Sequence, residues 1–89
     1  MTIAKQVRYF GQVQGVGFRY TTQRLAQGYP VAGHVRNLQG GDVELVVEGE
    51  PEAVAAFLEA LAGQMTGYIA GTVVRDVPPA GLKDFRIRH

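Results

Sequence analysis

The chain contains no cysteine and only two histidines, His34 and His89, among its 89 residues. Without cysteine, disulfide frameworks, thiolate nucleophiles and cysteine-ligated zinc or iron–sulfur sites are excluded. Two isolated histidines, with no His-x-x-x-His pair, leave little material for a transition-metal site built by the protein. We therefore expect no metal in the function of this chain.

A surplus of charge is also missing, because nine Lys and Arg residues face eight Asp and Glu residues, for a net charge of +1. Proteins that bind nucleic acid or a membrane surface usually carry a clear basic surplus. No apolar run is long enough to span a bilayer, and residues 1–6 lack the pattern of a signal peptide. We expect no nucleic-acid partner, no membrane partner and a cytoplasmic location.

The composition that is present, 46% hydrophobic and 19% charged, is that of an ordinary globular protein. A chain of this length can bury one core but not a core and a second lobe, so we expect a single domain over residues 1–89. The mostly polar outer faces of its helical stretches predict a monomer.

Hydrophobic periodicity predicts strands and helices in a recognisable order. Apolar residues recur at helical spacing from Phe18, up to a stop at Gly28 and Pro30, and again after Pro51, before Gly63. Alternation predicts strands at Lys5–Val13, Val31–Leu38, Asp42–Gly49, Gly67–Val77 and, as a short closing edge strand, Lys83–Arg88. The resulting β-α-β-β-α-β order is the α+β, ferredoxin-like split βαβ sandwich, an antiparallel sheet with two helices on one face.

Two glycines, Gly15 and Gly17, stand between the first predicted strand and the first helix. Glycine adopts positive φ freely, so several backbone N–H groups can turn towards one point beside the positive end of the helix. Arg19 follows, and its guanidinium can bind two oxygens of a phosphate or carboxylate. The alternative is a tight turn with no ligand, since the loop matches neither the dinucleotide fingerprint nor the Gly-Lys-Ser/Thr motif.

Asn37 is the only asparagine and lies at the end of the second predicted strand. Its side chain offers both an acceptor and a donor, so it can hold a water and orient it towards an electrophile. The alternative is that Asn37 satisfies backbone groups near the Gly40-Gly41 turn.

The chain resembles the acylphosphatase family in the run Gly11-Gln-Val-Gln-Gly-Val-Gly-Phe-Arg19, followed by Ala26, Gly33-His-Val-Arg-Asn37, Val43-Glu44 and Gly49. The resemblance implies hydrolysis of a small-molecule acyl phosphate without a cofactor, with a substrate phosphate oxygen taking the proton of the attacking water. It places the essential arginine at Arg19 and the essential asparagine at Asn37. It places the phosphate-binding loop at Gln14, Gly15, Val16, Gly17, Phe18 and Arg19.

The scarcity of histidine fits the hydrolysis of an acyl phosphate, which needs no general acid. An acyl phosphate releases a carboxylate, whose conjugate acid has a pKa of about 4, so the leaving group needs no general acid at neutral pH. The chain departs from the family at His34, where a large aromatic residue is common, and at Gly40-Gly41, where Asp-Gly is usual. We expect His34 to point away from Asn37, three residues along the strand, and therefore not to act as a base.

Two other functions use the same fold. One is a binding module that holds a phosphate or carbamoyl-phosphate group without turnover, as related domains do inside larger maturation enzymes. The other is an RNA-binding sheet, which needs exposed aromatic residues and a basic face. The remaining charges suggest no site: Glu44 and Glu48 are expected to be solvated or paired, and Arg86 and Arg88 to lie on the surface.

Overall fold

The computed structural model describes all residues, 1–89, as one sheet with two helices. In chain order the elements are β1 (Ile3–Gly11), α1 (Phe18–Ala26), β2 (Val31–Asn37), β3 (Val43–Gly49), α2 (Pro51–Gln64), β4 (Ile69–Val77) and β5 (Phe85–Arg88). The predicted element order and the closing edge strand are confirmed. No helix has both the length and the apolar character that crossing a membrane requires.

The strands lie in the order β4-β1-β3-β2-β5. The pairs β1–β3, β1–β4 and β2–β3 are antiparallel, whereas β5 joins the outer edge of β2 in parallel. The predicted antiparallel sheet is therefore confirmed for these three pairs, and the closing edge strand, whose direction the sequence left open, pairs in parallel. The chain leaves β4 at one edge of the sheet and must cross to the other edge before β5 begins, which makes a parallel pairing possible.

The core lies between one face of the sheet and the two helices. In β3 the alternation of Val43, Leu45 and Val47 places three fully buried side chains on this face, as predicted. Phe57 and Leu61 of α2 complete the core from the helical side. The opposite face is covered by no helix and carries cross-strand ion pairs, including Arg36 with Glu44 at 2.8 Å.

Several element boundaries differ from prediction by one or two residues, and two of these differences have identifiable reasons. The strand β1 ends at Gly11, where φ is +121° and a Cβ atom would lie 2.5 Å from the carbonyl oxygen of Tyr68. The helix α2 continues through Gly63 to Gln64, because Leu61 and Met65 on either side are buried. Glycine costs a helix about 1 kcal/mol relative to alanine, which core burial on this scale offsets.

Residues 78–84, the crossing segment between β4 and β5, are held by Glu48. The carboxylate of Glu48 accepts hydrogen bonds from the backbone N–H groups of Ala80 and Leu82, both at 2.6 Å. Glu48 is only 4% exposed. Of the two expectations for Glu48, solvated or paired, the structure shows the second, because the buried carboxylate pairs with backbone donors.

Candidate active site

The loop between β1 and α1 takes its shape from two left-handed glycines. Gly15 has φ of +76° and Gly17 has φ of +77°. Gly17 is also the N-cap residue of α1, and no side chain caps this helix. The left-handed conformation costs a residue with a Cβ atom roughly 1–2 kcal/mol, so glycine is the residue that this backbone requires.

Free backbone donors accumulate at the start of α1. The N–H groups of residues 15–20 make no hydrogen bond within the protein, and the first bond of the helix runs from the N–H of Thr21 to the carbonyl of Gly17 at 2.9 Å. The positive end of the helix dipole adds to these groups. The arrangement is suited to an anion.

A small cavity lies at the start of α1 and measures about 250 Å³. Its lining consists of Val13, Gly15, Gly17, Phe18, Arg19, Tyr20 and Asn37. A water occupies about 30 Å³ in the liquid, so this cavity has room for a small anion together with a water.

Asn37 reaches this cavity because of the sheet topology. Since β1 and β2 are both antiparallel to β3, they run in the same direction, and their C-terminal ends lie at the same end of the sheet. Tyr9 and Asn37 are level with one another, because each pairs with Val43 of the strand between them. The ring of Tyr9 packs against Phe18 with centroids 5.0 Å apart, which places the start of α1 at the level of Asn37.

Arg19 is half-buried and contacts the end of the chain. Its Nη1 atom lies 3.4 Å from the carbonyl oxygen of Arg88 and 3.2 Å from Nδ1 of His89. None of the ion pairs in the structure involves Arg19, so no carboxylate neutralises its charge. The full positive charge is therefore available to an anion in the cavity.

Gln14 supports the loop through its side chain rather than lining the cavity. Its Nε2 atom donates to the carbonyl oxygens of Leu38 and Asp42, each at 2.8 Å. These bonds tie the loop to the turn that follows Asn37. Of the predicted site residues, the structure brings together around the cavity Gly15, Gly17, Phe18, Arg19 and Asn37, and it leaves Gln14 and the exposed Val16 outside the lining.

Phe18 contributes to the cavity from a core position. It is 2% exposed, and the hydroxyl of Thr22 donates to its carbonyl oxygen at 2.7 Å. Its side chain packs on Tyr9, whose pKa is raised above the usual range by burial, so the phenol stays neutral. The side chain of Phe18 thus fixes the start of α1 to the core, while its backbone N–H group stays free at the cavity.

His34 lies away from the cavity, on the face of the sheet opposite the helices, where it pairs with Val46. Its Nδ1 atom is buried without a hydrogen-bond partner. Burial lowers the pKa of His34, the positive charges of Arg88 and Arg36 lower it further, and Glu44 opposes them in part. The chain has no cluster of three or more His, Asp or Glu side chains suited to a metal.

Comparison with known proteins gives concordant matches. The family model described as Acylphosphatase matches residues 5–87. An acylphosphatase of Methanothrix thermoacetophila is 42% identical over 88 residues, which is 98% of each chain. The crystal structure of acylphosphatase from Bacillus subtilis matches with a TM-score of 0.90 and 32% identity, and the match covers 100% of both chains. T. kodakarensis HypF matches with a TM-score of 0.80 and 34% identity, over 96% of this chain but 12% of that one.

Proposed function

Because the chain belongs to the acylphosphatase family, whose members hydrolyse acyl phosphates, we propose that Arg19 and the 14–19 loop bind the phosphoryl group and that Asn37 orients the attacking water. The observation that carries this assignment is the single cavity lined by the glycine loop, Arg19 and Asn37. A tight turn without a ligand would not require the free N–H groups, Arg19 and Asn37 to line the same cavity.

The phosphoryl group is bound by donors that are in place before the reaction. The guanidinium of Arg19 binds two oxygens, and the free N–H groups of residues 15–20 donate to the same group. Negative charge on the phosphoryl oxygens is thereby stabilised without reorganisation of the protein during the reaction. The side chain of Gln14 holds this loop in register with the turn beyond Asn37.

The water is positioned by the side-chain amide of Asn37, whose oxygen accepts a hydrogen bond from it. The water oxygen forms a bond to phosphorus while the bond from phosphorus to the acyl oxygen breaks in line with it. The departing carboxylate takes the bonding electrons and, with a conjugate-acid pKa of about 4, needs no proton. The proton of the water passes to a phosphoryl oxygen, so no protein base is required.

Phosphate release from benzoyl phosphate, measured with excess chelator, tests these roles. We expect turnover to persist in chelator, since Arg19 and the amides supply the positive charge. Arg19→Lys keeps the positive charge but loses the planar pair of donors that binds two oxygens. Asn37→Ala loses the side-chain oxygen that accepts a hydrogen bond from the water. Each substitution should lower kcat/KM by about 10²-fold or more. Arg24→Lys, at the exposed far end of the same helix, is the matched control and should retain wild-type kinetics.

Each outcome bears on a separate part of the assignment. Loss of activity in chelator contradicts the cofactor-free reaction. Wild-type activity of folded Arg19→Lys shows that bidentate binding by Arg19 is not needed. Wild-type kcat of Asn37→Ala removes Asn37 from the positioning of water.

We also propose that the protein acts as a single-domain monomer in the cytoplasm. The family model spans nearly the whole chain, which supports one domain. Light scattering at assay concentration and fractionation of the host cell test the other two statements, and a stable dimer or a membrane-bound fraction contradicts them.

A further inference from the structure

The side chain of Tyr20 takes no part in the hydrolysis as proposed, although Tyr20 lines the cavity. Tyr20 directly follows Arg19 in the first turn of α1 and is 68% exposed. Its ring packs against no other aromatic ring of the protein. We propose that the ring of Tyr20 contacts the acyl group of the bound substrate, so that the site binds acyl phosphates with an aromatic acyl group more tightly than acetyl phosphate.

The acyl group of a bound substrate lies at the mouth of the cavity. The phosphoryl group and the water take up its interior, which measures about 250 Å³. In-line attack places the acyl oxygen on the side of phosphorus opposite the water, and therefore away from Asn37. Asn37 belongs to β2, whereas Tyr20 belongs to α1, which fits a contact between the acyl group and the helix.

Tyr20 is the only residue of the cavity lining that offers the acyl group an exposed apolar surface. Val13 and Phe18 are buried in the core. The two glycines have no side chain, and Arg19 and Asn37 bind the phosphoryl group and the water. Because the Cα–Cβ bonds of a helix tilt towards its N-terminus, the side chain of Tyr20 leans back over the start of α1, where the cavity opens.

Exposure of a tyrosine is not by itself a sign of binding, because single apolar residues are common on protein surfaces. Tyr68 illustrates this, since it is 42% exposed and lies outside the lining of the cavity. Tyr20 differs from it by its place beside Arg19. Contact between two aromatic rings adds about two- to tenfold in affinity, which is the preference we expect Tyr20 to provide.

Two unreactive analogues test the contact without turnover. In phenacylphosphonate and acetonylphosphonate a CH₂ group replaces the bridging oxygen of benzoyl phosphate and acetyl phosphate. NMR titration should give a Kd for phenacylphosphonate about two- to tenfold below that for acetonylphosphonate in the wild type. Tyr20→Phe should keep this ratio because it keeps the ring, whereas Tyr20→Ala should bring the ratio close to one. Tyr68→Ala is the matched control and should keep the wild-type ratio.

The kinetics of the two substrates provide a second readout. A contact of equal strength in the ground state and the transition state affects KM and leaves kcat unchanged. Tyr20→Ala should therefore raise KM for benzoyl phosphate about two- to tenfold, with KM for acetyl phosphate and both kcat values within about twofold of the wild type. The exposed position of Tyr20 predicts an unchanged thermal unfolding midpoint.

This role for Tyr20 rests on the proposed function of Arg19 and the loop, and the same titrations distinguish the two failures. Inorganic phosphate should displace both analogues, and Arg19→Lys should weaken both by the same factor. If phosphate displaces neither analogue, or if Arg19→Lys binds both as the wild type does, the proposed function is wrong. If both expectations hold while Tyr20→Ala keeps the wild-type ratio, or while the wild type binds the two analogues equally, the phosphoryl site stands and the role of Tyr20 is overturned.

Discussion

Replacing Gly17 by alanine tests whether the shape of the loop, rather than its residues alone, makes the site. Gly17 has φ of +77°, and a Cβ atom added there meets no other atom within 4 Å. The substitution therefore creates no clash, and its cost is the strain of a left-handed alanine, roughly 1–2 kcal/mol. For a domain of this size each kcal/mol lowers the unfolding midpoint by about 4–8 °C, so the expected loss is about 5–15 °C.

The loss of activity should exceed the loss of stability. Alanine relieves its strain by moving φ to a negative value, which turns the free N–H groups at the start of α1 away from the cavity. Removing one oriented donor from a site that stabilises negative charge costs about 10²–10³-fold. We therefore expect kcat/KM for benzoyl phosphate to fall by about 10²-fold when measured well below the unfolding midpoint.

Gly81→Ala is the matched control. Gly81 has φ of +76°, and an added methyl group there also has no atom within 4 Å, but Gly81 lies in the crossing segment rather than in the loop. Its stability should fall as much as that of Gly17→Ala while kcat/KM stays at the wild-type value. Gly17→Asn should recover part of the stability, because asparagine tolerates the left-handed region. Wild-type kcat/KM in destabilised Gly17→Ala would refute the idea that this backbone conformation directs the donors.

Two further predictions concern residues outside the cavity. Glu48→Ala leaves two backbone N–H groups of the crossing segment without their acceptor and should lower the free energy of unfolding by about 2–4 kcal/mol in urea titrations, whereas an unchanged value contradicts the importance of these bonds. The lowered pKa of His34 means that the unfolded state takes up its proton first as pH falls, so this residue should reduce stability below about pH 6.5 and not above it. The thermal midpoint of His34→Gln should therefore decline less on acidification than that of the wild type, and an equal decline contradicts this account.

The parts of the fold that follow from short-range pattern were predictable. Alternation in β3 and helical spacing around Phe57 are local properties of the chain, and they determine which side chains meet in the core. The sequence also indicates a glycine loop before a helix, because Gly15 and Gly17 allow positive φ, but the glycines alone fit a tight turn without a ligand equally well. Their meeting with Asn37 follows once β1 and β2 are both paired with β3.

The contacts that escaped prediction join distant parts of the chain. His89 and Arg19 are 70 positions apart, and their contact depends on the parallel pairing of β5 with β2, which no local pattern indicates. Glu48 alternates in β3 like an exposed residue, but the crossing segment covers it. The side chain of Gln14 bonds to two carbonyl groups, and a sequence shows nothing of such backbone positions.

The position of β3 between β1 and β2 has a consequence for how far this sequence can diverge. Neighbouring strands lie about 4.7–4.9 Å apart, a spacing that backbone hydrogen bonds set whatever the side chains are. The distance between β1, which leads into the loop, and β2, which ends at Asn37, is therefore set by backbone hydrogen bonds to β3. Core substitutions can alter the stability of the protein while the width of the cavity is kept. The match to the Bacillus subtilis acylphosphatase, with a TM-score of 0.90 at 32% identity, is consistent with a fold that is kept while most residues change.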